Sequence, residues 1–194
     1  HVDGALAFSL HLDDPLPGIV RGAGLPTVFG GRPYWSEGQI AYVDCDNLGG
    51  ARDAVRHLVA AGRTRIAHIT GPLDQTSAVD RLDGYRQVLG DPDPRLIEPG
   101  DFTAAGGERA MGELLDRCPG LDAVFAANDL SAAGALRALR ERGLRVPEDV
   151  AVVGFDDMLH VAEQTDPPLT TVRQSIEEMG RLMVRLLLRG QGRG

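Results

Sequence analysis

The sequence contains no lysine and few cysteines. Its twenty basic residues are therefore all arginine, and 28 acidic residues outnumber them, so the formal net charge is −8. An acidic chain repels the phosphate backbone of nucleic acids. The composition thus makes this chain by itself a poor candidate for binding DNA or RNA.

Other features that the sequence lacks exclude further classes of protein. The two cysteines, Cys45 and Cys118, are too few for a disulfide scaffold, and neither stands in a metal-ligand spacing. No apolar run approaches the roughly 18 residues that a membrane span needs. No basic segment followed by an apolar segment opens the chain, so we predict no signal peptide and no membrane partner. We expect reduced thiols and a cytoplasmic location.

Motifs that carry catalysis or bind cofactors are also missing. No Walker-type phosphate loop, no G-x-G-x-x-G after a strand and no G-x-S-x-G nucleophile elbow occurs. The five histidines show none of the spacings of a zinc site. An enzyme that used Asp156 and Asp157 for phosphoryl or metal chemistry would need a partner lysine or threonine near them. We therefore predict no catalytic residue, no metal and no cofactor.

Short apolar runs alternate with amphipathic segments along the chain. The runs are bounded by Gly, Pro or Asp and are apolar on both faces, which is typical of buried parallel strands. They cover residues 2–10, 27–31, 40–44, 65–70, 121–127 and 150–155. Helical periodicity covers residues 48–61, 77–89, 104–117, 131–142 and 176–188. The pattern predicts an α/β fold with parallel sheets and right-handed crossovers.

Polar or aromatic residues follow several of the predicted strands. Ligands bind at the carboxyl ends of parallel strands in such folds, so we look for a site there. Asp101 and Phe102, Asn128 and Asp129, and Asp156 all stand at such positions. Groups that donate and accept hydrogen bonds next to an aromatic wall suit a small polyhydroxylated molecule.

Two segments near the C-terminus carry a family resemblance. Residues 146–157, VPEDVAVVGFDD, and residues 167–174, PPLTTVRQ, resemble the signature of transcription regulators of the lactose-repressor/galactose-repressor (LacI/GalR) family. Shorter matches run along the whole chain in one register, at Asp46-Asn47, His57-Leu58, Gly84-Tyr85, Gly100-Asp101-Phe102 and Ala126-Ala127-Asn128-Asp129. The sequence is therefore similar to the effector-binding domain of these regulators.

The resemblance implies a type I periplasmic-binding-protein-like fold with two Rossmann-like subdomains and a ligand cleft between them. It assigns residues 1–62 and 175–194 to an incomplete N-terminal subdomain and residues 63–174 to the C-terminal subdomain. Against this pattern the chain lacks the helix-turn-helix headpiece and is expected to be truncated at both ends. Operator DNA is then a partner of the longer parent protein, through the headpiece.

The same resemblance implies which residues bind the ligand. These are Arg81, Asn128, Asp156, Phe102, Arg32, Gln174 and Ser77. Trp35 is a further position that either flanks the cleft or makes a loop or dimer contact. We interpret Asp46 and Asn47, which also match the family pattern, as a structural turn.

The residues by themselves leave structural alternatives open for several of these positions. Arg81 could form a surface ion pair with a neighbouring aspartate, and Ser77 could cap its helix. Asn128 could cap the following helix, although Asp129 is the preferred cap. Asp156 could form a turn, as we expect of Asp157.

We expect the chain to sense a sugar or another small polar metabolite and so to control operator binding by its parent. The ligand would stabilise one orientation of the subdomains over another, without any covalent step. Palindromic operators favour a homodimer. The alternative is a periplasmic sugar-binding protein of a transporter, which shares the fold but needs an export signal.

Overall fold

A computed structural model describes residues 2–34 and 40–191 of the chain, so Trp35 lies outside the described residues. The strands are β1 (Ala5–Phe8), β2 (Thr27–Gly30), β3 (Ala41–Val43), β4 (Ile66–Ile69), β5 (Ile97–Glu98), β6 (Ala123–Ala126), β7 (Ala151–Asp156) and β8 (Thr170–Arg173). The helices are α1 (Leu16–Gly22), α2 (Asn47–Ala60), α3 (Thr76–Leu89), α4 (Ala104–Arg117), α5 (Asp129–Glu141), α6 (Leu159–Ala162) and α7 (Ile176–Gln191). A 3₁₀ turn, Pro94–Leu96, precedes β5.

The contacts divide the described chain into two compact units. The larger unit comprises Asp46–Leu73 and Ala78–Gln174, and the smaller comprises the segment up to Cys45, Asp74–Ser77 and the segment from Ser175. This grouping puts α2 in the larger unit, because α2 packs on β7 and β8. It differs from the subdomain boundary between residues 62 and 63 that the family resemblance implies, and that boundary stays a prediction.

The smaller unit is a three-stranded parallel sheet with a long amphipathic helix. Its strand order is β1-β2-β3, with Ala5 opposite Thr27 and Val28 opposite Ala41. Helix α7 packs on β2 and β3 and buries Met183 completely. A Cβ atom at Gly30 would lie 3.3 Å from the methyl carbon of Met183, so the helix approaches the strand closely.

The larger unit is a five-stranded parallel sheet covered on both faces. Its order is β5-β4-β6-β7-β8. Side chains alternate along each strand, so Ala67 and Val124 face α4 and α5, while Ile66 and Phe125 face α2 and α3. The three central strands are buried on both faces, which explains their continuous apolar sequence.

The predicted α/β fold with parallel sheets is confirmed. Every predicted strand and helix is present, with ends that differ by a few residues. Gly143 follows α5 with a φ of +68°, a conformation that suits glycine at the end of a helix. No range was predicted from the sequence for α1, α6, β5 or β8, although a strand end was expected before Asp101, where β5 lies. Within the described ranges, no helix combines the length and the apolar character needed to cross a membrane.

Candidate functional site

Six side chains of the larger unit gather at the carboxyl edge of its sheet. Phe102 follows β5, Asn128 follows β6, Asp156 ends β7 and Gln174 follows β8. Arg81 lies in α3, the helix that follows β4, and Asn47 begins α2, the helix that follows β3. The parallel topology brings these residues together because every parallel strand ends at the same edge.

The guanidinium of Arg81 lies at the centre of this cluster. Its Nε and Nη2 donate to Oδ1 of Asn47 at 3.0 and 2.9 Å, and its Nη1 donates to the carbonyl oxygen of Ala127 at 2.5 Å. Nη2 also lies 3.2 Å from Oδ1 of Asp156. Arg81 is 5% exposed, so the alternative of a surface ion pair is wrong. These contacts hold the guanidinium in one orientation.

Two aromatic rings flank the same guanidinium. The guanidinium carbon lies 3.9 Å from the ring centroid of Phe155 and 5.7 Å from that of Phe102. Both distances are within the range of cation–π attraction. Gly71 lies directly under the Phe102 ring, where a Cβ would collide with ring carbons. The ring of Phe102 therefore lies against the backbone of Gly71, and its role as a wall of the ligand site stays a prediction.

Two of the residues predicted to bind ligand have strained backbone conformations. Phe102 has a φ of +64° and Asp156 a φ of +104°, in a region that residues with a side chain seldom occupy. The Phe102 carbonyl accepts a hydrogen bond from Nδ2 of Asn128 at 2.9 Å, which helps to hold its conformation. Such strain persists where the surroundings impose it, and it concentrates at functional sites.

Asn128, and not Asp129, is the N-cap of α5. Its Oδ1 accepts the backbone N–H of Ser131 at 2.9 Å. The preference for Asp129 was wrong because that carboxylate is used elsewhere: it accepts the hydroxyl of Thr171 at 2.6 Å and the N–H of Met158 at 2.7 Å. Which of two neighbouring residues caps a helix therefore depends on their contacts with distant parts of the chain.

Asn47 is the residue of the cluster whose role the sequence analysis missed. The Asp46-Asn47 pair was interpreted as a turn, and Asp46 does cap α2 by accepting the N–H of Gly49 at 2.8 Å. Asn47, however, is 3% exposed and its Oδ1 faces both Arg81 and Gln174. The match of Asp46 and Asn47 to the family pattern was the one signal that this pair has a function. The pattern alone did not show that Asp46 caps the helix while Asn47 binds Arg81.

Asp156 has an unusual acidity for a carboxyl group. Burial raises its pKa to about 6, and the neighbouring carboxylate of Asp129 acts in the same direction. The positive charge of Arg81 opposes both effects. Burial also raises the pKa of Asp129. The cluster therefore combines the fixed positive charge of Arg81 with two carboxyl groups that resist ionisation.

We expect Asp156 to make the protein less stable as the pH rises from about 4 to about 6. Between its ordinary pKa near 3.9 and its folded value, the native carboxyl keeps a proton that the unfolded chain has released, so stability falls with pH. The shift corresponds to about 3 kcal/mol. Urea unfolding at a series of pH values checks this, with Asp156→Asn as the matched control. Parallel pH curves for the two proteins would contradict the assignment.

The remaining predicted residues are distributed between the two units. Gln174 is half-buried in the larger unit, where its Nε2 lies 3.3 Å from Oδ1 of Asn47. Arg32 and Ser77 belong to the smaller unit. There the carbonyl of Arg32 accepts the hydroxyl of Thr76 at 2.5 Å, and Ser77 lies in the first turn of α3. Their roles in ligand binding remain predictions.

The chemistry of the cluster suits hydrogen bonding to an uncharged polar molecule. It offers a forked donor, carboxylate and amide oxygens, and aromatic rings side by side. In the described part of the chain, no group of three His, Cys, Asp or Glu side chains is placed to hold a metal ion.

The family model that describes the periplasmic binding protein-like domain matches residues 55–193. This chain belongs to that family, and the resemblance to LacI-type regulators is confirmed by its relatives. The chain is 54% identical to the HTH-type transcriptional regulator CelR of Thermobifida fusca, over 97% of this chain and 56% of CelR. It is 40% identical to the repressor CytR of Escherichia coli K12, over 84% and 49% of the two chains.

Solved structures agree with these relatives. A CelR–cellobiose complex superposes with a TM-score of 0.95 at 54% identity, covering 100% of this chain and 61% of that one. A regulatory protein of the LacI family from Chloroflexus aggregans superposes with a TM-score of 0.86 at 36% identity, covering 96% and 68%. The chain thus spans about half the length of the curated relatives it matches.

Proposed function

We propose that the chain is the effector-sensing part of a LacI-type transcription regulator and that it binds an uncharged sugar. The observation that carries this proposal is the similarity along the entire chain to a regulator whose structure was solved with cellobiose. We propose a β-linked glucose disaccharide as the first ligand to test. Arg81, Asn128, Asp156, Phe102 and Gln174 are the residues we assign to ligand contact, with Arg32 and Ser77 as further candidates.

The charges of the cluster support an uncharged ligand. The positive group of the cluster, Arg81, is already paired with Asp156, and Asp129 lies near enough to raise the pKa of Asp156. An added phosphate would therefore meet two carboxyl groups beside a cation whose charge is already shared. A sugar hydroxyl, by contrast, can donate to a carboxylate and accept from a guanidinium at once.

The regulatory role follows from reversible binding alone. The bound sugar would stabilise one conformation of the protein by its differential contacts, and no chemical step is needed. The net charge of −8 supports assigning operator binding to a part of the regulator outside these 194 residues. We propose a cytoplasmic homodimer, since a two-fold dimer matches a palindromic operator.

Calorimetry and thermal unfolding of the chain with cellobiose test the ligand assignment. Maltose, which differs in the configuration of the glycosidic link, and ribose serve as matched sugars. Cellobiose at about 100 times its Kd should add roughly 2.7 kcal/mol, a rise in Tm of about 5–10 °C. Asp156→Asn should lose most of this rise. A cooperative transition that none of the three sugars shifts would contradict the proposal.

A further inference from the structure

One oxygen atom links three hydrogen-bond donors in the cluster. Oδ1 of Asn47 accepts from Nε and Nη2 of Arg81, at 3.0 and 2.9 Å, and from Nε2 of Gln174 at 3.3 Å. Asn47 begins α2, Arg81 lies within α3 and Gln174 follows β8. Asn47 is therefore the point at which separate elements of the larger unit are tied together.

The position of this oxygen determines how the guanidinium is aimed. A guanidinium is a planar fork of five N–H groups, so fixing one edge fixes the direction of every other N–H. Asn47 holds the Nε/Nη2 edge, while the carbonyl of Ala127 holds Nη1 at 2.5 Å. The guanidinium carbon also lies 3.9 Å from the ring centroid of Phe155. The amide oxygen of Asn47 accepts from Arg81 without carrying a charge, whereas the other side-chain acceptor described above is the carboxylate of Asp156.

We propose that Asn47 is a positioning residue of the ligand site, whose amide oxygen aligns the Arg81 guanidinium and the Gln174 amide for the sugar. The inference rests on the proposed function. A neutral acceptor matters here because it orients Arg81 without competing with Asp156 for its charge. An aspartate at position 47 would keep an oxygen in place but would divide that charge between two carboxylates.

A purely structural role for Asn47 at the start of α2 is separable, because another residue performs it. Asp46 is the N-cap of the helix, and its Oδ1 accepts the N–H of Gly49 at 2.8 Å. Replacing Asp46 should therefore weaken α2 without moving the Arg81 fork. Replacing Asn47 should move the fork and leave the cap intact. The two adjacent positions form a matched pair for experiment.

The test measures two properties of Asn47→Ala, Asn47→Asp and Asp46→Ala. The first is the affinity for cellobiose by calorimetry. The second is the ¹H–¹⁵N signal of the Arg81 side-chain Nε–H, identified by its absence from Arg81→Lys. A hydrogen-bonded, buried Nε–H exchanges slowly with water, so its signal reports the orientation of the fork whether or not a ligand is bound.

We expect Asn47→Ala to lose the slowly exchanging signal and to weaken cellobiose binding by about tenfold or more, since a hydrogen bond to a charged group is lost. Asn47→Asp should recover the signal, because an acceptor oxygen is kept, but only part of the affinity, because the second carboxylate shares the charge of Arg81 with Asp156. Asp46→Ala should melt at a lower temperature with an unchanged signal and an affinity within about twofold of the parent. If Asn47→Ala does not fold, Asn47→Leu, which has a similar shape, takes its place.

Retention of both the signal and the affinity in Asn47→Ala would overturn the inference. Equal losses in Asp46→Ala and Asn47→Ala would also overturn it, since the effect would then come from the helix. If the parent chain does not bind cellobiose, the sugar assignment fails separately. The Nε–H signal still decides the role of Asn47 in that case, because it needs no ligand.

Discussion

Replacing Arg81 with alanine is expected to cost the protein about 100-fold in cellobiose affinity and roughly 3 kcal/mol of stability at neutral pH. The substitution removes the two hydrogen bonds that Arg81 donates to Asn47 and the one it donates to the Ala127 carbonyl, and it leaves the carboxylate of Asp156 without its cation. The side chain of Asp156 is 23% exposed, so water compensates only in part. Unpaired buried groups of this kind are one of the few causes of large mutational losses.

The loss of stability in Arg81→Ala should itself depend on pH. Without Arg81 the carboxyl of Asp156 accepts a proton more readily, because the guanidinium is the group that holds its pKa down. At about pH 5 the protonated carboxyl is neutral, so the cost of losing its partner is smaller than at about pH 7. Urea unfolding at the two pH values measures the difference.

Arg86→Ala is the matched control for this prediction. Arg86 lies in the last turn of the same helix, α3, but its side chain is exposed. Its replacement should change stability by less than about 0.5 kcal/mol and leave sugar affinity unaltered. Similar losses in the two variants would mean that Arg81 acts through its helix and not through the cluster.

Gly134→Ala is expected to destabilise the protein by about 2–3 kcal/mol, because the added methyl group overpacks the contact between α4 and α5. A Cβ at this position would collide with the carbonyl oxygen of Ala104 and would lie 2.6 Å from the amide nitrogen of Glu108. Both atoms belong to backbone, which cannot turn aside as a flexible side chain does. The two helices would have to move apart and open the core between them and the sheet.

Gly112→Ala, on the neighbouring helix, is a control that should change the stability in the opposite direction. Gly112 lies within α4, and a Cβ there would meet nothing within 4 Å. Its replacement should stabilise the protein by roughly 0.5–1 kcal/mol, since alanine restricts the unfolded chain more than glycine does.

Thermal unfolding distinguishes the two glycine variants directly. For a chain of this size 1 kcal/mol corresponds to about 2–4 °C in Tm. Gly134→Ala should therefore melt about 5–10 °C below the parent and Gly112→Ala slightly above it. Equal changes of Tm in the two variants would contradict the role assigned to the α4–α5 contact.

The elements for which the sequence predicted no range share a physical cause. Strand β5 has two residues and therefore offers no periodicity to detect. Strand β8 lies at the edge of its sheet with partly exposed side chains, so the apolar pattern that marks β4 or β6 is weak there. Helix α6 is a single turn. Short elements and edge strands are stabilised by contacts with the rest of the fold, and the local sequence pattern does not show these contacts.

The candidate site was predictable to the extent that it depends on topology. Parallel strands end at one edge of a sheet, so the polar and aromatic residues that follow predicted strands already indicated Phe102, Asn128 and Asp156. The structure brings these three together with Arg81 and Gln174. The family resemblance supplied Arg81, whose position on a helix would not by itself distinguish it from a surface residue.

The sequence by itself determined the α/β class, the positions of the long elements and the edge of the sheet at which polar groups collect, because these depend on periodicity and on the order of elements along the chain. Only the tertiary structure decided that Arg81 is buried, that Asn128 and not Asp129 caps α5, and that Asn47 binds Arg81. Each of these depends on partners distant in sequence. A hydrogen bond between two folded elements leaves no periodic trace in either of them, whereas burial of an apolar face does.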